Sequence, residues 1–277
     1  DYPEVFFEEQ IHKIRRIQPD QNQINKAVNI IKNSKQPIII SGGGVLYSEA
    51  EKELSNFAKK HNIPVTPTVM GIGCMDYNDP YNIGPIGCLG VGSANSLSKD
   101  TDLALAIGTK LGDFTTGSWT NFHNPNFKLV SINAARFDVS KHRATPVVSD
   151  AKLGLLALSK VLGDWKAPDN WYQRACKESK EWDKYVQKQS GPTNQEFPSY
   201  AHAVGAVYRN SDPSDIVVTA AGGLVGETVQ IWKPKELNTF ETEWGFSCMG
   251  YEISGALGIK MAKPNQDVIV FVGDGSY

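Results

Sequence analysis

The sequence predicts an α/β protein made of two doubly wound parallel-sheet domains, of which the second is truncated. Short apolar runs typical of buried strands are each followed by a glycine-rich turn and then by an amphipathic helix. This order is the one found in parallel sheets, whose helices cover both faces. The length of 277 residues is typical of about two such domains.

Composition excludes several other classes of protein. The 28 Lys and Arg residues nearly balance the 30 Asp and Glu residues, so no broad basic surface for nucleic acid or anionic lipid is expected. The longest apolar runs have the length of strands, far below the roughly 20 residues that span a bilayer. We therefore expect neither a nucleic-acid partner nor a membrane.

The cysteines and histidines form no pattern typical of a metal site or a disulfide framework. The four cysteines include no Cys-x-x-Cys pair, and the five histidines are scattered. Disulfides are also rare in a chain of this length outside oxidising compartments. We therefore expect reduced thiols and a cytoplasmic protein.

Glycine and proline breaks divide the chain into four parts. Residues 1–19 are predicted to be a lead-in linker, and residues 20–165 the first domain, with a Rossmann-like alternation of strands and helices. Residues 166–192 are predicted to contain a linker helix. Residues 193–277 begin the second domain. The chain starts without Met and ends shortly after a predicted strand, so we expect a fragment of a longer protein.

The first domain opens with two predicted helices on either side of a strand. Asp20 is predicted to cap the first helix, with Gln23 completing a capping box. Ser48 and Glu51 predict a second box of the same kind. The strand between the helices, Pro37–Ile40, is apolar throughout, which is typical of a strand buried in a parallel sheet.

A glycine-rich turn follows this strand and raises the possibility of a dinucleotide site. Gly42 and Gly44 fill the first two glycine positions of the dinucleotide fingerprint, but Tyr47 stands at the third. The third glycine lets the helix pack closely on the strand beneath the pyrophosphate. A nucleotide-binding oxidoreductase domain is therefore a less favoured alternative here, and a non-catalytic scaffold with relic loops is another.

The second domain begins with an amphipathic helix and a strand that leads into two glycines. The residues predicted to share the buried face of the helix are Tyr200, Ala203, Val204, Val207 and Tyr208. After the strand Asp215–Thr219, Gly222 and Gly223 precede a helix that starts at Leu224. Backbone N–H groups and the helix dipole make such a turn an anion seat, although a tight strand-to-helix turn without a ligand has the same pattern.

The final apolar run, Val268–Val272, is predicted to be a strand buried on both faces of a parallel sheet. It leads into Gly273, Asp274, Gly275 and Ser276. Ligands of open α/β sheets lie beyond the carboxyl ends of the strands, where Asp274 would project. A carboxylate there suits Mg²⁺, which bridges protein to phosphate, and the N–H groups of Gly275 and Ser276 could face a phosphate oxygen. A plain Asp-Gly turn is the alternative.

Three segments together, residues 217–227, 244–262 and 268–277, resemble the diphosphate-binding domain of thiamine-diphosphate (ThDP) enzymes, the family of acetolactate synthase and pyruvate oxidase. The resemblance implies ThDP and Mg²⁺ as cofactors, with Asp274 as a metal ligand. It also implies that the Ser247 carbonyl accepts a hydrogen bond from the aminopyrimidine ring and that Met249 supports the bent cofactor. The residues it assigns to cofactor binding are Gly222, Gly223, Leu224, Ser247, Met249, Gly273, Gly275 and Ser276.

Within this family, the segment "GFSCMGYEISGALGIKMA" is most similar to a branch that hydrolyses a carbon–carbon bond and opens a cyclic dione. Acetolactate synthase-like and 2-oxo acid decarboxylase-like activities are the alternatives. The resemblance implies that the activating glutamate lies in an N-terminal domain absent from this chain, so that no catalytic residue can be named in it. It also implies further Mg²⁺ ligands beyond Tyr277, and a homodimer or homotetramer that binds the cofactor between subunits.

Overall fold

The computed structural model describes residues 1–277 and contains two parallel sheets. The strands are β1 (Pro37–Ser41), β2 (Val65–Pro67), β3 (Leu103–Ile107), β4 (Lys128–Asn133), β5 (Thr145–Val148), β6 (Ile216–Thr219), β7 (Phe240–Thr242) and β8 (Val268–Val270). The first sheet has the order β2-β1-β3-β4-β5 and the second the order β7-β6-β8. Every neighbouring pair is parallel, which confirms the predicted α/β class.

Helices connect and cover these strands, and none of them combines the length and the apolar character needed to cross a membrane. They are α1 (Gln21–Lys32), α2 (Gly43–Tyr47), α3 (Glu51–His61), α4 (Gly92–Asp100), α5 (Asp113–Thr116), α6 (Arg136–Val139), α7 (Ala151–Leu162), α8 (Asp169–Ser190), α9 (Tyr200–Asn210), α10 (Gly223–Ile231) and α11 (Tyr251–Ala262). Short 3₁₀ turns include Asp274–Ser276 after β8.

The first sheet is buried on both faces, with one core on each side. Successive residues of a strand point to opposite sides, so each strand contributes to both cores. Ile39 of β1 packs in a core with residues of α1, α3 and α7. Ile38 and Ile40 pack in a second core on the other face, with residues of α4 and α8. Helices on both faces are what the doubly wound architecture requires.

Helix α8 contacts the cores of both sheets. Near its start, Trp171 belongs to a core of the first sheet, and its indole N–H donates a hydrogen bond to the Pro37 carbonyl at 2.8 Å. Near its end, Val186 packs in the core of the second sheet with Val217 of β6. The 22-residue helix therefore links the two α/β units, while the predicted domain limits stay a prediction.

Neither of the two capping boxes predicted in the first unit forms. Asp20 does cap α1 and accepts hydrogen bonds from the N–H groups of Asn22 and Gln23. The Gln23 side chain, however, accepts a hydrogen bond from the Val148 N–H of β5 at 2.9 Å, so no capping box forms. Ser48 does not begin α3, because the glycines after β1 start the short α2 and Ser48 ends it.

The second unit departs from the predicted pattern at α9. The helix buries Val204 and Gly205, whereas Tyr200 is 61% exposed. Gly205 explains the different face, since a Cβ at that position would collide with the Ser190 carbonyl at the end of α8. Because α8 packs closely against Gly205, α9 buries the face that contains Val204 and Gly205 and not the predicted face.

The prediction that the last strand is buried on both faces is also wrong. The three residues of β8 are each only half-buried, and Phe271 after them is buried. In this sheet β8 pairs with β6 on one side and has no neighbour on the other. Within these 277 residues, the apolar side chains of β8 are therefore only partly covered.

Candidate functional site

Two glycine-rich loops leave the same edge of the second sheet. The first, called the β6 loop, comprises residues 220–224, and the second, called the β8 loop, comprises residues 273–276. Their strands are direct parallel neighbours, with Val218 paired to Val270. The Phe271 N–H donates to the Val218 carbonyl at 3.0 Å and extends the pairing toward the loops. The structure therefore brings the two predicted loops together at the carboxyl ends of β6 and β8.

The β6 loop presents unpaired backbone donors at the start of α10. The N–H groups of Gly222, Gly223 and Leu224 make no hydrogen bond within the chain, and both glycines are exposed. Gly222 has φ 78°, a conformation that favours glycine, and a Cβ there would meet no atom within 4 Å. Unpaired N–H groups and the positive end of the helix dipole attract an anion.

The β8 loop carries the carboxylate that the sequence singled out. The Asp274 side chain is exposed and makes no hydrogen bond or ion pair within the chain. Cβ atoms at Gly273 and Gly275 would meet nothing within 4 Å, so a ligand has room on both sides of Asp274. The Ser276 N–H already donates to the Gly273 carbonyl at 2.9 Å, so of the two donors predicted in this loop the Gly275 N–H alone is unpaired.

A third segment, residues 247–250, lies against both loops. The Ser247 hydroxyl donates to the Ala220 carbonyl of the β6 loop at 2.9 Å. A Cβ at Gly250 would lie 3.6 Å from the Ser276 carbonyl oxygen of the β8 loop. Met249 is 71% exposed, which excludes a core methionine, and the Ser247 carbonyl accepts no hydrogen bond. Both groups predicted to contact a ring are therefore available.

The carboxylate of Glu243 binds the backbone at the start of this third segment. Its two oxygens accept hydrogen bonds from the N–H groups of Phe246, at 2.9 Å, and Cys248, at 2.7 Å. These bonds, that from Cys248 above all, hold the pKa of Glu243 below its usual value. The segment therefore stays fixed by an ionised carboxylate at neutral pH.

Sequence reasoning missed Glu252 in the first turn of α11. Its side chain is fully buried, and Oε1 accepts a hydrogen bond from the Ala221 N–H at 2.9 Å. Oε2 accepts from the Gly250 N–H at 3.1 Å. An acidic residue two positions after a glycine at a helix start was the available signal, but the sequence does not show that it reaches the β6 loop.

A metal at this site would depend on Asp274 and on ligands other than a protein cluster. The chain contains no group of three or more His, Cys, Asp or Glu side chains that could hold a metal ion. Mg²⁺ commonly takes one or two carboxylates and completes its shell with phosphate oxygens and water. A single exposed carboxylate beside an anion seat fits that mode of binding.

A separate cavity lies at the carboxyl edge of the first sheet, between the ends of β1 and β3. It has a volume of about 450 Å³ and is lined by the loops after β1, β2, β3 and β4 and by Trp244 and Gly245. The N–H groups of Gly42 and Gly44 donate to the carbonyls of Ile107 and Gly108. Because these donors are used and α2 has only five residues, the dinucleotide fingerprint is not realised here.

Comparison with known proteins gives two family matches and a set of relatives. Residues 24–158 match the central domain of thiamine pyrophosphate enzymes, and residues 220–277 match their C-terminal TPP binding domain. All the site residues predicted from the sequence lie in the second match.

The relatives share one name, 3D-(3,5/4)-trihydroxycyclohexane-1,2-dione hydrolase. The chain is 36% identical to that of Geobacillus thermodenitrificans, in an alignment covering 100% of this chain and 46% of the relative. It is 37% identical to that of Clostridium tetani and 35% identical to that of Bacillus anthracis, covering 47% of each. The chain thus spans about half the length of the curated relatives it matches.

Proposed function

Because this chain belongs to the thiamine pyrophosphate enzyme family, we propose that it carries the diphosphate-binding part of a hydrolase that opens a trihydroxycyclohexane-1,2-dione ring. The names of the relatives support the substrate class. The observation that carries the cofactor assignment is the row of unpaired N–H groups after β6, beside the unpaired carboxylate after β8.

The two loops fit the diphosphate and its metal in different ways. The N–H groups of Gly222, Gly223 and Leu224 would donate to phosphate oxygens, and the Gly275 N–H would add a donor from the other side. Asp274 would bind Mg²⁺, which bridges the carboxylate to the phosphates. Open space at Gly273 and Gly275 admits the group without displacing any protein atom.

The third segment would orient the ring part of the cofactor. The free Ser247 carbonyl is an acceptor for an amino group, and Ser247 is anchored through its hydroxyl to the β6 loop. Met249 offers an exposed, polarizable side chain on which a ring can rest. These contacts would hold ring and diphosphate at a fixed separation, because the segment lies against both loops.

When bound, ThDP would supply a nucleophilic carbon for the hydrolytic cleavage of a ring carbon–carbon bond of the dione. The residues of this chain bind and orient the cofactor for that step. The expected product is an open-chain 5-deoxy-uronic acid. We place the reaction in inositol catabolism in the cytoplasm, in keeping with the relatives' substrate and with four free cysteines.

The family resemblance extends the proposal beyond these residues. By this resemblance we expect the activating glutamate in a preceding domain and further Mg²⁺ ligands beyond Tyr277, with the cofactor held between subunits of a homodimer or homotetramer. We therefore expect the 277 residues alone to show no ring opening and weak ThDP binding. Ring opening by this chain in isolation, measured by product chromatography, would contradict this part of the proposal.

The test of the cofactor assignment is the substitution Asp274→Ala in the full-length natural protein. Loss of partners around a metal ligand already costs about 10–100-fold in metal affinity. We expect loss of the ligand itself to weaken Mg²⁺-dependent ThDP binding by about a hundredfold or more. Isothermal titration of ThDP, with and without Mg²⁺, measures this change.

Asp267→Ala is the matched control, because Asp267 lies at the other end of β8. Its exposed carboxylate pairs with Lys260 at 3.3 Å, away from the two loops. We expect wild-type ThDP affinity for Asp267→Ala. Equal affinities of Asp274→Ala and the wild type would exclude Asp274 as a metal ligand.

A further inference from the structure

Glu252 is a buried carboxylate whose only hydrogen-bond partners are two backbone N–H groups. The side chain is 0% exposed, and it forms no ion pair with Lys, Arg or His. Burial of a charge is costly unless hydrogen bonds satisfy it, and the loss of either partner leaves an unpaired polar group inside the protein. The two partners, Ala221 and Gly250, are therefore held firmly to this carboxylate.

The partners belong to different parts of the site. Ala221 lies in the β6 loop, immediately before the unpaired N–H groups of Gly222 and Gly223. Gly250 ends the 247–250 segment, immediately after Met249. One side chain thus joins the anion seat to the segment that presents Met249 and the Ser247 carbonyl.

The position of Glu252 at the start of α11 stabilises this arrangement. A carboxylate in the first turn of a helix interacts favourably with the helix dipole. Gly250 adopts φ 88°, so the backbone folds back and its N–H points to the Glu252 side chain. Glu243 differs, because both of its N–H partners lie within its own segment and none lies in the β6 loop.

We propose that Glu252 is a positioning residue that fixes the distance between the diphosphate seat and the ring-binding segment. The inference rests on the proposed function, since it assumes that one ligand contacts both parts. Without the two hydrogen bonds, the β6 loop and the 247–250 segment would remain present but would no longer be held at the spacing of the ligand. A ligand that contacts only the seat would be affected less than one that contacts both.

The experiment compares two ligands on the full-length protein and its Glu252→Gln variant. Inorganic pyrophosphate with Mg²⁺ probes the seat alone, and ThDP with Mg²⁺ probes the seat and the ring segment together. Gln keeps one acceptor oxygen and replaces the other with an NH₂ group, which cannot accept from a backbone N–H. We expect the ThDP affinity to fall about tenfold and the pyrophosphate affinity to fall about twofold.

Glu236→Gln is the control for the chemical change itself. Glu236 is exposed in the loop before β7, and its carboxylate makes no hydrogen bond or ion pair. We expect wild-type affinity for both ligands in this variant. Equal losses of ThDP and pyrophosphate affinity in Glu252→Gln would overturn the spacing role, and so would wild-type affinity for both. No ThDP binding by the wild type would instead overturn the proposed function.

Ser247→Ala tests the same spacing if Glu252→Gln fails to fold. It removes the other bond between the two parts, that from the Ser247 hydroxyl to the Ala220 carbonyl, from an exposed residue. We expect the ThDP affinity to fall about threefold, with the pyrophosphate affinity unchanged. A purely structural role would lower the melting temperature without changing the ratio of the two affinities, and that result would overturn the inference.

Discussion

The loop after β1 and the loop after β6 are built on the same plan. Each follows a strand with neighbours on both sides, contains consecutive glycines and leads into a helix. In the first loop the space beside the glycines is filled by protein. A Cβ at Gly42 would lie 2.5 Å from the Gly108 carbonyl oxygen, and one at Gly44 would lie 2.6 Å from the Gly108 Cα.

The same positions after β6 and β8 are open. A Cβ at Gly222, Gly273 or Gly275 would meet no atom within 4 Å. The backbone N–H groups differ between the two loops as well. Those of Gly42 and Gly44 donate hydrogen bonds, whereas those of Gly222 and Gly223 do not. Glycine in a strand-to-helix turn indicates that something approaches the backbone closely. In the first unit a neighbouring loop makes this approach, and in the second unit we propose that the cofactor does.

The substitution Gly42→Ala should give the largest effect on folding. The added methyl group would lie against the Gly108 carbonyl and 2.6 Å from the Thr109 Cβ, and neither is the free end of a flexible side chain. Overpacking of this kind costs about 3 kcal/mol in the free energy of unfolding. Chemical denaturation of the chain, followed by tryptophan fluorescence, measures the loss.

Gly112→Ala is the matched control in the same unit, because a Cβ there would meet nothing within 4 Å and the residue has φ −67°. Its unfolding free energy should stay within about 0.5 kcal/mol of the wild type. If Gly42→Ala were as stable as Gly112→Ala, loop-to-loop packing would not be the reason for the glycines after β1.

Gly275→Ala should have the opposite effect, weakening ThDP binding while leaving the free energy of unfolding almost unchanged. The methyl group would meet no protein atom, so we expect the free energy of unfolding to change by less than about 0.5 kcal/mol. If the diphosphate lies against this loop, the same methyl group obstructs it, and we expect Mg²⁺-dependent ThDP affinity to fall about tenfold. Titration calorimetry and denaturation of the full-length protein measure the two effects separately.

The control for Gly275→Ala is Gly258→Ala on the exposed part of α11, where a Cβ would also meet nothing. Alanine in a helix should add about 1 kcal/mol of stability and leave ThDP affinity unchanged. A wild-type ThDP affinity for Gly275→Ala would mean that the space beside Gly275 is not used by the cofactor.

The sequence located the loops because strand, glycine pair and helix follow one another without interruption. It could not show that Glu252 reaches the Ala221 N–H, since that contact joins residues 31 positions apart and depends on how α11 packs against β6. Neither did it show that the side chains of β8 are only half-buried, because burial depends on what packs against the strand and not on its apolar character. Local order was therefore predictable, whereas contacts between elements were not.

Two short strands, β5 and β7, were not predicted, because their sequences lack the usual pattern of a buried strand. β5 contains Pro146, and proline argues against a central strand. The structure places β5 at the end of the first sheet, where the missing N–H costs little. β7 has only three residues, Phe240–Thr242, too few to show an alternating pattern.

The two units should also differ in their response to acid, and His61 is the reason. It is fully buried in the first unit, where Nδ1–H donates to the Trp165 carbonyl at 2.8 Å and Nε2 accepts from the Ser159 hydroxyl at 3.2 Å. Burial lowers the pKa of His61 from its usual 6.5. As the pH falls below 6.5, the unfolded state therefore takes up a proton that the folded state does not.

His61 thus stabilises the fold fully above pH 6.5, and this contribution is lost as the pH falls toward the lowered pKa. In the second unit, the pKa of Glu243 lies below its usual 4.5, so the 243–248 segment keeps its hydrogen bonds until the pH falls below that value. Melting temperatures measured from pH 7 to pH 5 should therefore fall, and His61→Gln should flatten this dependence. His12→Gln, at an exposed position, is the control and should retain it. An unchanged slope in His61→Gln would assign the acid sensitivity to other groups.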